Sequence, residues 1–228
     1  MTRGPTAGAA PAGRAALVRP RGLLLDAMGT LFGLQESVGC TYARVAAEHG
    51  ITAQPGAVEQ AFRRAYRQAP PLAFPGLEGA ALEAAERNWW AERIRSSLQD
   101  PSGEELDPPQ ALLEQLYAHY AHPSAWRVYA DVPERLECWH RAGLRLAVVS
   151  NFDSRLPGLL EGLDLSRWLQ AVVISSRAGA AKPSPQPFAL ALEQLQLSAG
   201  EVWHVGDSPE DVAGAQAAGV PCVLVRRP

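Results

Sequence analysis

The sequence has almost no lysine. Its 228 residues contain 20 arginines and a single lysine, Lys182. The composition therefore favours arginine wherever a cation is needed, and position 182 departs from that preference. Lysine carries a compact ammonium on a flexible stem, whereas arginine carries a planar fork of donors. The isolated lysine indicates a role that needs a point charge.

Other absences exclude whole classes of function. No apolar run approaches the roughly 20 residues needed to span a bilayer. The net charge of only −3 offers no basic surface, so we expect neither a nucleic-acid nor a membrane partner. The three cysteines (Cys40, Cys138 and Cys222) are odd in number, far apart and without metal-ligand spacing. They predict a reduced, cytoplasmic location, with each thiol buried as a small apolar group.

The length and composition of the chain predict one folded core with room for a smaller insert. Of its residues, 47% are hydrophobic, and a chain of this length can bury a sizeable core. Residues 1–20 contain no acid and are rich in Ala, Gly, Pro and Arg, which predicts a disordered N-terminal extension. A transit peptide is the alternative, although serine is scarce there. We predict a core from residues 21–35 and 126–228, and a helical cap from residues 36–125.

From about residue 143, short apolar segments alternate with helical ones, which predicts a parallel sheet of βαβ units. One helix is expected to begin with Ser184 as N-cap and Pro185 at the first helical position. The fold class is therefore α/β, with a doubly wound Rossmann-like parallel sheet. The predicted strands are 23–25, 144–149, 171–174, 201–205 and 221–225, and the predicted helices between them are 154–162, 185–196 and 209–218.

The segment 36–125 has helical periodicity and no convincing strand, so it is predicted to form an inserted all-helical cap domain. Trp89 and Trp90 are expected to pack in the core of this insert, with stacking on a substrate as the alternative. The helical segments lie near 37–49, 55–69, 80–99 and 108–121.

Residues able to do chemistry follow the predicted strands. Asp26 ends the apolar run that begins at Leu23, and the carboxyl end of a buried parallel strand is where α/β sheets bind ligands and can hold a nucleophile rigidly. Carboxylates suit a divalent cation, while hydroxyls and an ammonium neutralise phosphoryl oxygens. Four such elements occur in order: Asp26 with Thr30, Ser150–Asn151, Lys182–Pro183 and Gly206–Asp211.

Together these elements resemble the haloacid dehalogenase (HAD) superfamily over about residues 21–228, in the branch with a helical cap (subfamily I, C1 cap). An Asp-x-x-Gly-Thr-Leu start, a Trp-Trp pair and a Ser-Asn-Phe-Asp motif are similar to one subgroup of HAD-like hydrolases. The resemblance implies a Mg²⁺-dependent phosphohydrolase acting on a small phosphorylated, or other anionic, molecule. It implies these roles: Asp26 as nucleophile and metal ligand, the Met28 carbonyl and Asp207 as metal ligands, Thr30, Ser150 and the Asn151 backbone on the phosphoryl oxygens, and Lys182 balancing the charge of nucleophile and phosphate.

Met28 departs from the pattern of this family. Its phosphatases usually carry a second aspartate at this position, which protonates the leaving oxygen and then activates water. General acid–base help of this kind contributes about 10²–10⁴ in rate, and a thioether cannot supply it. The sequence therefore predicts a slow phosphatase, one restricted to good leaving groups, or one assisted by a cap residue.

Two other functions stay open. The 2-haloacid dehalogenases share the Asp-x-x-Gly-Thr-Leu-Phe start and need no acid, because halide leaves unprotonated. They work without metal, however, and lack the aspartate found here at position 207. A catalytically weak HAD fold that acts as a binding or regulatory protein is the third reading. A phosphonate-cleaving branch needs a cap lysine, and residues 36–125 contain none.

Two further residues have alternative roles. Asp211 is predicted either to support the metal or to cap a helix, since Ser208-x-x-Asp211 has the form of a capping box. His204 lies in an apolar strand and is expected to be a hydrogen-bonded core histidine. The sequence does not specify the substrate, and both a monomer and a homodimer are compatible with it.

Overall fold

The computed structural model describes residues 19–98 and 107–227. The prediction of a disordered extension over 1–20 therefore falls almost entirely outside the described residues. The strands are β1 Gly22–Leu25, β2 Phe32–Leu34, β3 Trp126–Val128, β4 Arg145–Ser150, β5 Ala171–Ile174, β6 Val202–Gly206 and β7 Cys222–Leu224. The helices are α1 Val38–Glu48, α2 Pro55–Gln68, α3 Gly79–Ser97, α4 Gln110–His119, α5 Val132–Arg141, α6 Leu156–Gly162, α7 Ser175–Ala178, α8 Gln186–Leu195 and α9 Pro209–Ala217.

Five strands form one parallel sheet in the order β5-β4-β1-β6-β7. The strand that carries the first motif, β1, lies in the middle and pairs with β4 on one side and β6 on the other. The crossovers that return each strand in the same direction contain helices, as parallel pairing requires. This arrangement confirms the predicted α/β fold with a Rossmann-like parallel sheet.

Helices cover both faces of the sheet because successive side chains of a strand point to opposite sides. Leu23 and Leu25 of β1 pack into one apolar core with α5 and α6, where Leu136 and Leu156 are fully buried. Leu24, between them, packs into the second core with α8 and α9. A strand buried on both faces is held firmly, so the residue that follows it has a well-defined position.

The four helices α1 to α4 lie between β2 and β3, and we call them the helical insert. They have an apolar core of their own, which includes Tyr42, Val58, Ile94 and Leu112. Strands β2 and β3 pair antiparallel at the two ends of this insert, a sheet that the sequence analysis did not predict. The predicted domain boundaries at 35–36 and 125–126 stay a prediction.

Two local expectations were wrong. The helix α8 begins one residue later than predicted, with Pro185 rather than Ser184 at the N-cap, and the Ser184 hydroxyl accepts from Gln186 N at 3.3 Å. Cys40 and Cys138 are exposed rather than buried, because both lie on solvent-facing sides of amphipathic helices. Among the described residues, no helix is long and apolar enough to cross a membrane.

Candidate active site

The carboxyl ends of three neighbouring strands bring the predicted residues together. Asp26 directly follows β1, Ser150 ends β4 and Asp207 directly follows β6. Because β4, β1 and β6 are adjacent and parallel, their ends lie side by side at one edge of the sheet. Lys182 reaches this edge from the loop between α7 and α8, and its Nζ lies 2.6 Å from Asp26 Oδ1.

Lys182 is a fully partnered ammonium in the protein interior. Its Nζ donates to Asp26 Oδ1 at 2.6 Å, to Asp211 Oδ1 at 2.5 Å and to the Val149 carbonyl at 3.0 Å. An ammonium has three N–H donors, so none is left over. Burial alone would lower the pKa of Lys182, but the carboxylates of Asp26 and Asp211 outweigh burial and raise that pKa. The lysine therefore stays charged beside the candidate nucleophile.

The side chain of Asn151 holds the backbone of Lys182. Asn151 Nδ2 donates to the Lys182 carbonyl at 3.0 Å, and Asn151 Oδ1 accepts from the Lys182 amide at 2.7 Å. Two hydrogen bonds to one residue set both its position and its direction. Only the backbone of Asn151 was predicted to act at the site, and the side chain adds this second function.

Three carboxylates lie close together at this edge. Asp26, Asp207 and Asp211 each offer an oxygen, and these oxygens lie within 4.8 Å of one another. Asp207 is the exposed member of the three, and partial desolvation of its carboxyl group and then the negative charge of Asp26 raise its pKa. A hard divalent cation would offset the repulsion between these carboxylates, and the unfavourable ionisation of Asp207 agrees with such a site. The donor set therefore fits Mg²⁺.

The hydrogen bonds of Asp211 leave it little capacity for a metal. Its Oδ2 accepts from the amides of Asp207 and Ser208 and from the Ser208 hydroxyl at 2.7 Å, which closes a capping box at the start of α9. Its Oδ1 accepts from Lys182 and from His204 Nε2 at 2.9 Å. Burial opposes ionisation, but the bonds from His204 and Lys182 lower the pKa of Asp211. These contacts favour capping and positioning; the metal role of Asp211 stays a prediction.

His204 is a core residue in contact with the site. It is fully buried, with Nδ1 2.9 Å from the Leu24 carbonyl and Nε2 2.9 Å from Asp211 Oδ1. The histidine thus links the backbone of β1 to Asp211, which agrees with the core role that the sequence favoured.

The turn after Asp26 brings the first motif close to Asp207. Gly29 has a φ of +86°, and a Cβ added there would lie 2.3 Å from Asp207 Oδ2, so only glycine fits. Thr30 donates through Oγ1 to Asp207 Oδ1 at 3.2 Å. Thr30 and Ser150, the two predicted phosphate-binding hydroxyls, are both buried. The Met28 side chain is 48% exposed, so core packing does not depend on it.

A part-buried polar contact joins the helical insert to the loop after β4, and it was not predicted from the sequence. Trp90 Nε1 donates to Asp153 Oδ2 at 2.6 Å. Glu86, one helical turn earlier on α3, accepts from both the amide and the hydroxyl of Ser154 at 3.0 and 2.9 Å. Trp89 instead donates to the Pro70 carbonyl within the insert. Trp89 therefore packs in the insert as predicted, whereas Trp90 also contacts the loop of the second motif.

Tyr66 is a second residue that the sequence analysis missed. It lies in the last turns of α2, and its ring packs against Trp89 and Trp90 with centroid distances of 5.9 and 6.4 Å. Tyr66 is 44% exposed as a whole, but desolvation of its hydroxyl group and then the charge of Asp26 raise the pKa of Tyr66. The helical insert therefore places an aromatic side chain within electrostatic reach of the candidate nucleophile.

An aspartate that follows the central strand, a buried lysine and a carboxylate that follows the adjacent strand therefore lie together at one edge of the parallel sheet. The family model described as haloacid dehalogenase-like hydrolase matches residues 20–219. The chain therefore belongs to the haloacid dehalogenase-like hydrolases. The predicted superfamily and the predicted class of enzyme, a hydrolase, are confirmed.

The chain is similar to relatives named as phosphatases and to relatives named as dehalogenases or dehalogenase-like proteins. Haloacid dehalogenase-like hydrolase domain-containing protein 3 of Homo sapiens is 36% identical over 207 residues, which cover 90% of this chain and 82% of the relative. A phosphoglycolate phosphatase of Rhodospirillum rubrum is 40% identical over 119 residues, covering 51% of this chain and 49% of the relative. The solved L-2-haloacid dehalogenase of Xanthobacter autotrophicus superposes with a TM-score of 0.67 at 22% identity, covering 90% of this chain and 77% of that one. This last likeness shows the fold alone.

Proposed function

We propose that the protein hydrolyses small phosphorylated molecules through an aspartyl-phosphate on Asp26, with Mg²⁺ as cofactor. The observation that carries the proposal is the buried Lys182, which donates to Asp26 at 2.6 Å while Asp207 lies alongside. An ammonium and a cation site around one carboxylate suit a phosphoryl group, whose oxygens carry the charge that they would neutralise. The cytoplasmic location and the choice between monomer and homodimer stay predictions.

Asp26 is the nucleophile in this proposal. Lys182 holds Oδ1, which leaves Oδ2 to attack phosphorus while the bond to the leaving oxygen breaks. Water then attacks the phosphorus of the aspartyl-phosphate, the bond to Asp26 breaks, and inorganic phosphate leaves. The proton of that water passes to a phosphoryl oxygen or to solvent. Ser150 would donate to the phosphoryl oxygens, as would Thr30 once its hydroxyl turns away from Asp207 Oδ1, and Lys182 would offset the charge on both partners.

Asp26, Asp207 and the Met28 carbonyl are the groups that would hold Mg²⁺. When bound, the ion supplies positive charge next to the phosphoryl oxygens and the carboxylates. Asp207 suits this role because its Oδ2 accepts from no donor among the described residues. Asp26 suits it because Oδ1 keeps a second lone pair beside the one that accepts from Lys182. Lys182 keeps Asp26 in place whether or not the ion is bound.

Met28 sets the range of substrates in this proposal. With no carboxyl group at position 28, the leaving oxygen departs without a proton from that position. Aryl and acyl phosphates release stable anions and should therefore react, whereas alkyl phosphates should react slowly or not at all. The difference corresponds to the missing acid–base contribution of about 10²–10⁴ in rate.

The test is release of phosphate from para-nitrophenyl phosphate and acetyl phosphate, with Mg²⁺ and with EDTA. We expect turnover with Mg²⁺, loss of turnover in EDTA and loss in Asp26→Asn. Asp164→Asn is the matched control, because Asp164 is exposed on the surface and asparagine accepts its positive φ of 60°. Equal activity in EDTA would refute the metal dependence, and full activity of Asp26→Asn would refute the nucleophile.

Metal-independent 2-haloacid dehalogenation is a second candidate, favoured by the methionine at position 28. There, Asp26 would attack the halogen-bearing carbon and halide would leave without a proton. The carboxylate of Asp207 close to Asp26 argues against this reaction, because a second negative charge would repel both an anionic substrate and the departing halide. Release of chloride from 2-chloropropionate in EDTA would establish it.

A catalytically weak protein that only binds a partner is the remaining alternative. It predicts no turnover across a broad set of phosphate esters with Mg²⁺. Any turnover that Asp26→Asn abolishes would exclude it.

A further inference from the structure

The contact between α3 and the loop after β4 continues as far as the candidate nucleophile. We infer that Trp90 is a positioning residue, which through Asp153 and Asn151 holds the ammonium of Lys182 against Asp26, and that Glu86 supports it. For turnover, this inference rests on the proposed function. For the geometry of Lys182, it stands independently.

The first link joins the helical insert to the segment 153–155. Trp90 Nε1 donates to Asp153 Oδ2 at 2.6 Å. Arg155 donates to both oxygens of the same carboxylate, through Nε at 2.9 Å and NH2 at 2.6 Å. Asp153 is fully buried, and the Arg155 side chain is 9% exposed. A bidentate ion pair away from water fixes the direction of both side chains, so Trp90 donates to a carboxylate that cannot turn away.

The helix α4 holds the same segment from a second direction. Arg155 NH1 donates to the Tyr117 carbonyl at 2.9 Å, and the guanidinium lies 4.0 Å from the centre of the Tyr117 ring. Glu86 adds a third contact, because its Oε1 accepts from the amide and hydroxyl of Ser154. Three side chains or carbonyls of the insert thus contact three consecutive residues of the loop.

The second link leads from this loop to the lysine. Asp153 follows Asn151 by two residues, and the Phe152 carbonyl between them accepts from Ser176 N at 3.3 Å. The loop therefore has little freedom to absorb a displacement. Asn151 makes its two hydrogen bonds to the Lys182 backbone, and Lys182 Nζ lies 2.6 Å from Asp26. A shift at Asp153 is thus expected to move the ammonium.

The neighbouring tryptophan provides a matched control. Trp89 Nε1 donates to the Pro70 carbonyl at 3.0 Å, and its ring lies under the guanidinium of Arg93, so its contacts stay within the insert. Both Trp89→Phe and Trp90→Phe remove one indole N–H donor and keep an aromatic ring. Only Trp90→Phe removes a contact with the loop of the second motif.

The single lysine allows the positioning to be measured without any enzyme assay. We propose to label the folded protein with an amine-acetylating reagent and to follow Lys182 by mass spectrometry, on a peptide separate from the N-terminal amine. Lys182 is 5% exposed, so labelling of the wild type should be slow. We expect Lys182 to react several-fold faster in Trp90→Phe and at the wild-type rate in Trp89→Phe. Equal rates in the two variants would overturn the inference.

A second variant covers the possibility that Trp90→Phe does not fold. Glu86→Ala removes the acceptor of Ser154 and is expected to accelerate labelling of Lys182 in the same way. An unchanged rate in a folded Glu86→Ala variant would refute the part assigned to Glu86.

Turnover of para-nitrophenyl phosphate with Mg²⁺ tests the consequence for the reaction. A displacement of about 1 Å can cost on the order of 10²-fold in rate, so we expect kcat of Trp90→Phe to fall by roughly 10- to 100-fold, with KM nearly unchanged. Trp89→Phe should keep the wild-type kcat. Equal kcat values in the two variants would overturn the effect on the reaction. If the wild type itself shows no turnover, the proposed function fails, and the labelling rates still decide the positioning.

Discussion

Lys182→Met tests how the site is built. Methionine has a similar length but no donor, so the change leaves the buried carboxylates of Asp26 and Asp211 without the ammonium they share. Removing one partner of a buried ion pair typically costs about 3–5 kcal/mol, because the remaining charge is unpaired in the interior. In a chain of this size, each kcal/mol lowers Tm by about 2–4 °C. We therefore expect Tm to fall by about 6–20 °C.

An exposed ion pair gives the matched control. Arg63 donates to Glu59 at 2.9 Å on α2, and its side chain is 67% exposed. Exposed pairs contribute about 0.2–1 kcal/mol, so Arg63→Met should lower Tm by no more than about 4 °C. Thermal unfolding in metal-free buffer at pH 7, followed by circular dichroism, measures both variants. If Lys182→Met lowers Tm no more than Arg63→Met does, the ammonium of Lys182 does not stabilise the buried carboxylates as argued.

The pH dependence follows from the two pKa shifts. The folded state raises the pKa of Lys182 above its usual 10.5, so its contribution to stability is complete below that pH and is lost as pH rises through the folded value. The folded state lowers the pKa of Asp211 below its usual 3.8, so its contribution is complete above that pH and is lost on acidification. The difference between wild type and Lys182→Met should therefore be largest between about pH 4 and pH 10, and should shrink in acid.

Three further changes test the site. Met28→Asp should raise kcat/KM for alkyl phosphates by about 10²-fold or more, with a much smaller gain for para-nitrophenyl phosphate; equal gains for both would contradict the role given to position 28. Asp207→Asn should raise Tm in metal-free buffer at pH 7, because the carboxyl group ionises unfavourably beside Asp26. Adding Mg²⁺ should then raise the Tm of this variant less than that of the wild type. An equal rise in Tm with Mg²⁺ would show that Asp207 does not bind the metal. Gly29→Ala should destabilise the protein by about 1–3 kcal/mol and reduce activity. Gly76 has a similar φ and nothing within 4 Å of an added Cβ, so Gly76→Ala should leave activity unchanged. Equal effects of the two changes on activity would show that backbone strain alone is responsible.

Long elements with a clear period were predictable from the sequence, whereas short ones were not. The helices of the insert lie close to their predicted positions, because each has several turns over which a period of 3.6 can be recognised. Strands β2 and β3 have three residues each, too few to show an alternation, and they were missed. Burial of Cys40 and Cys138 was predicted wrongly because composition does not say which face of a helix a residue occupies.

The chain order determined which groups could meet at the site. Asp26, Ser150 and Asp207 follow or end strands, and parallel strands must end at one edge of their sheet, so their proximity was predictable. The partner of each atom was not. The role of Asp211 depends on its contact with Lys182, which lies 29 residues away in the sequence. The bond from Trp90 to Asp153 spans 63 residues.

By itself, the sequence determined the alternation of strands and helices and the position of the candidate nucleophile at the end of a buried strand. It also determined that the chain has a single lysine and that methionine replaces the usual acid at position 28. These are local properties, set by the order of apolar and polar residues. Only the tertiary structure decided that the lysine uses all three donors, that the Asn151 side chain holds its backbone, and that Trp90 differs in role from Trp89. The reason is physical: a hydrogen bond depends on distance and direction between two atoms, and for residues far apart in the chain these are set only when the sheet and the helical insert pack together.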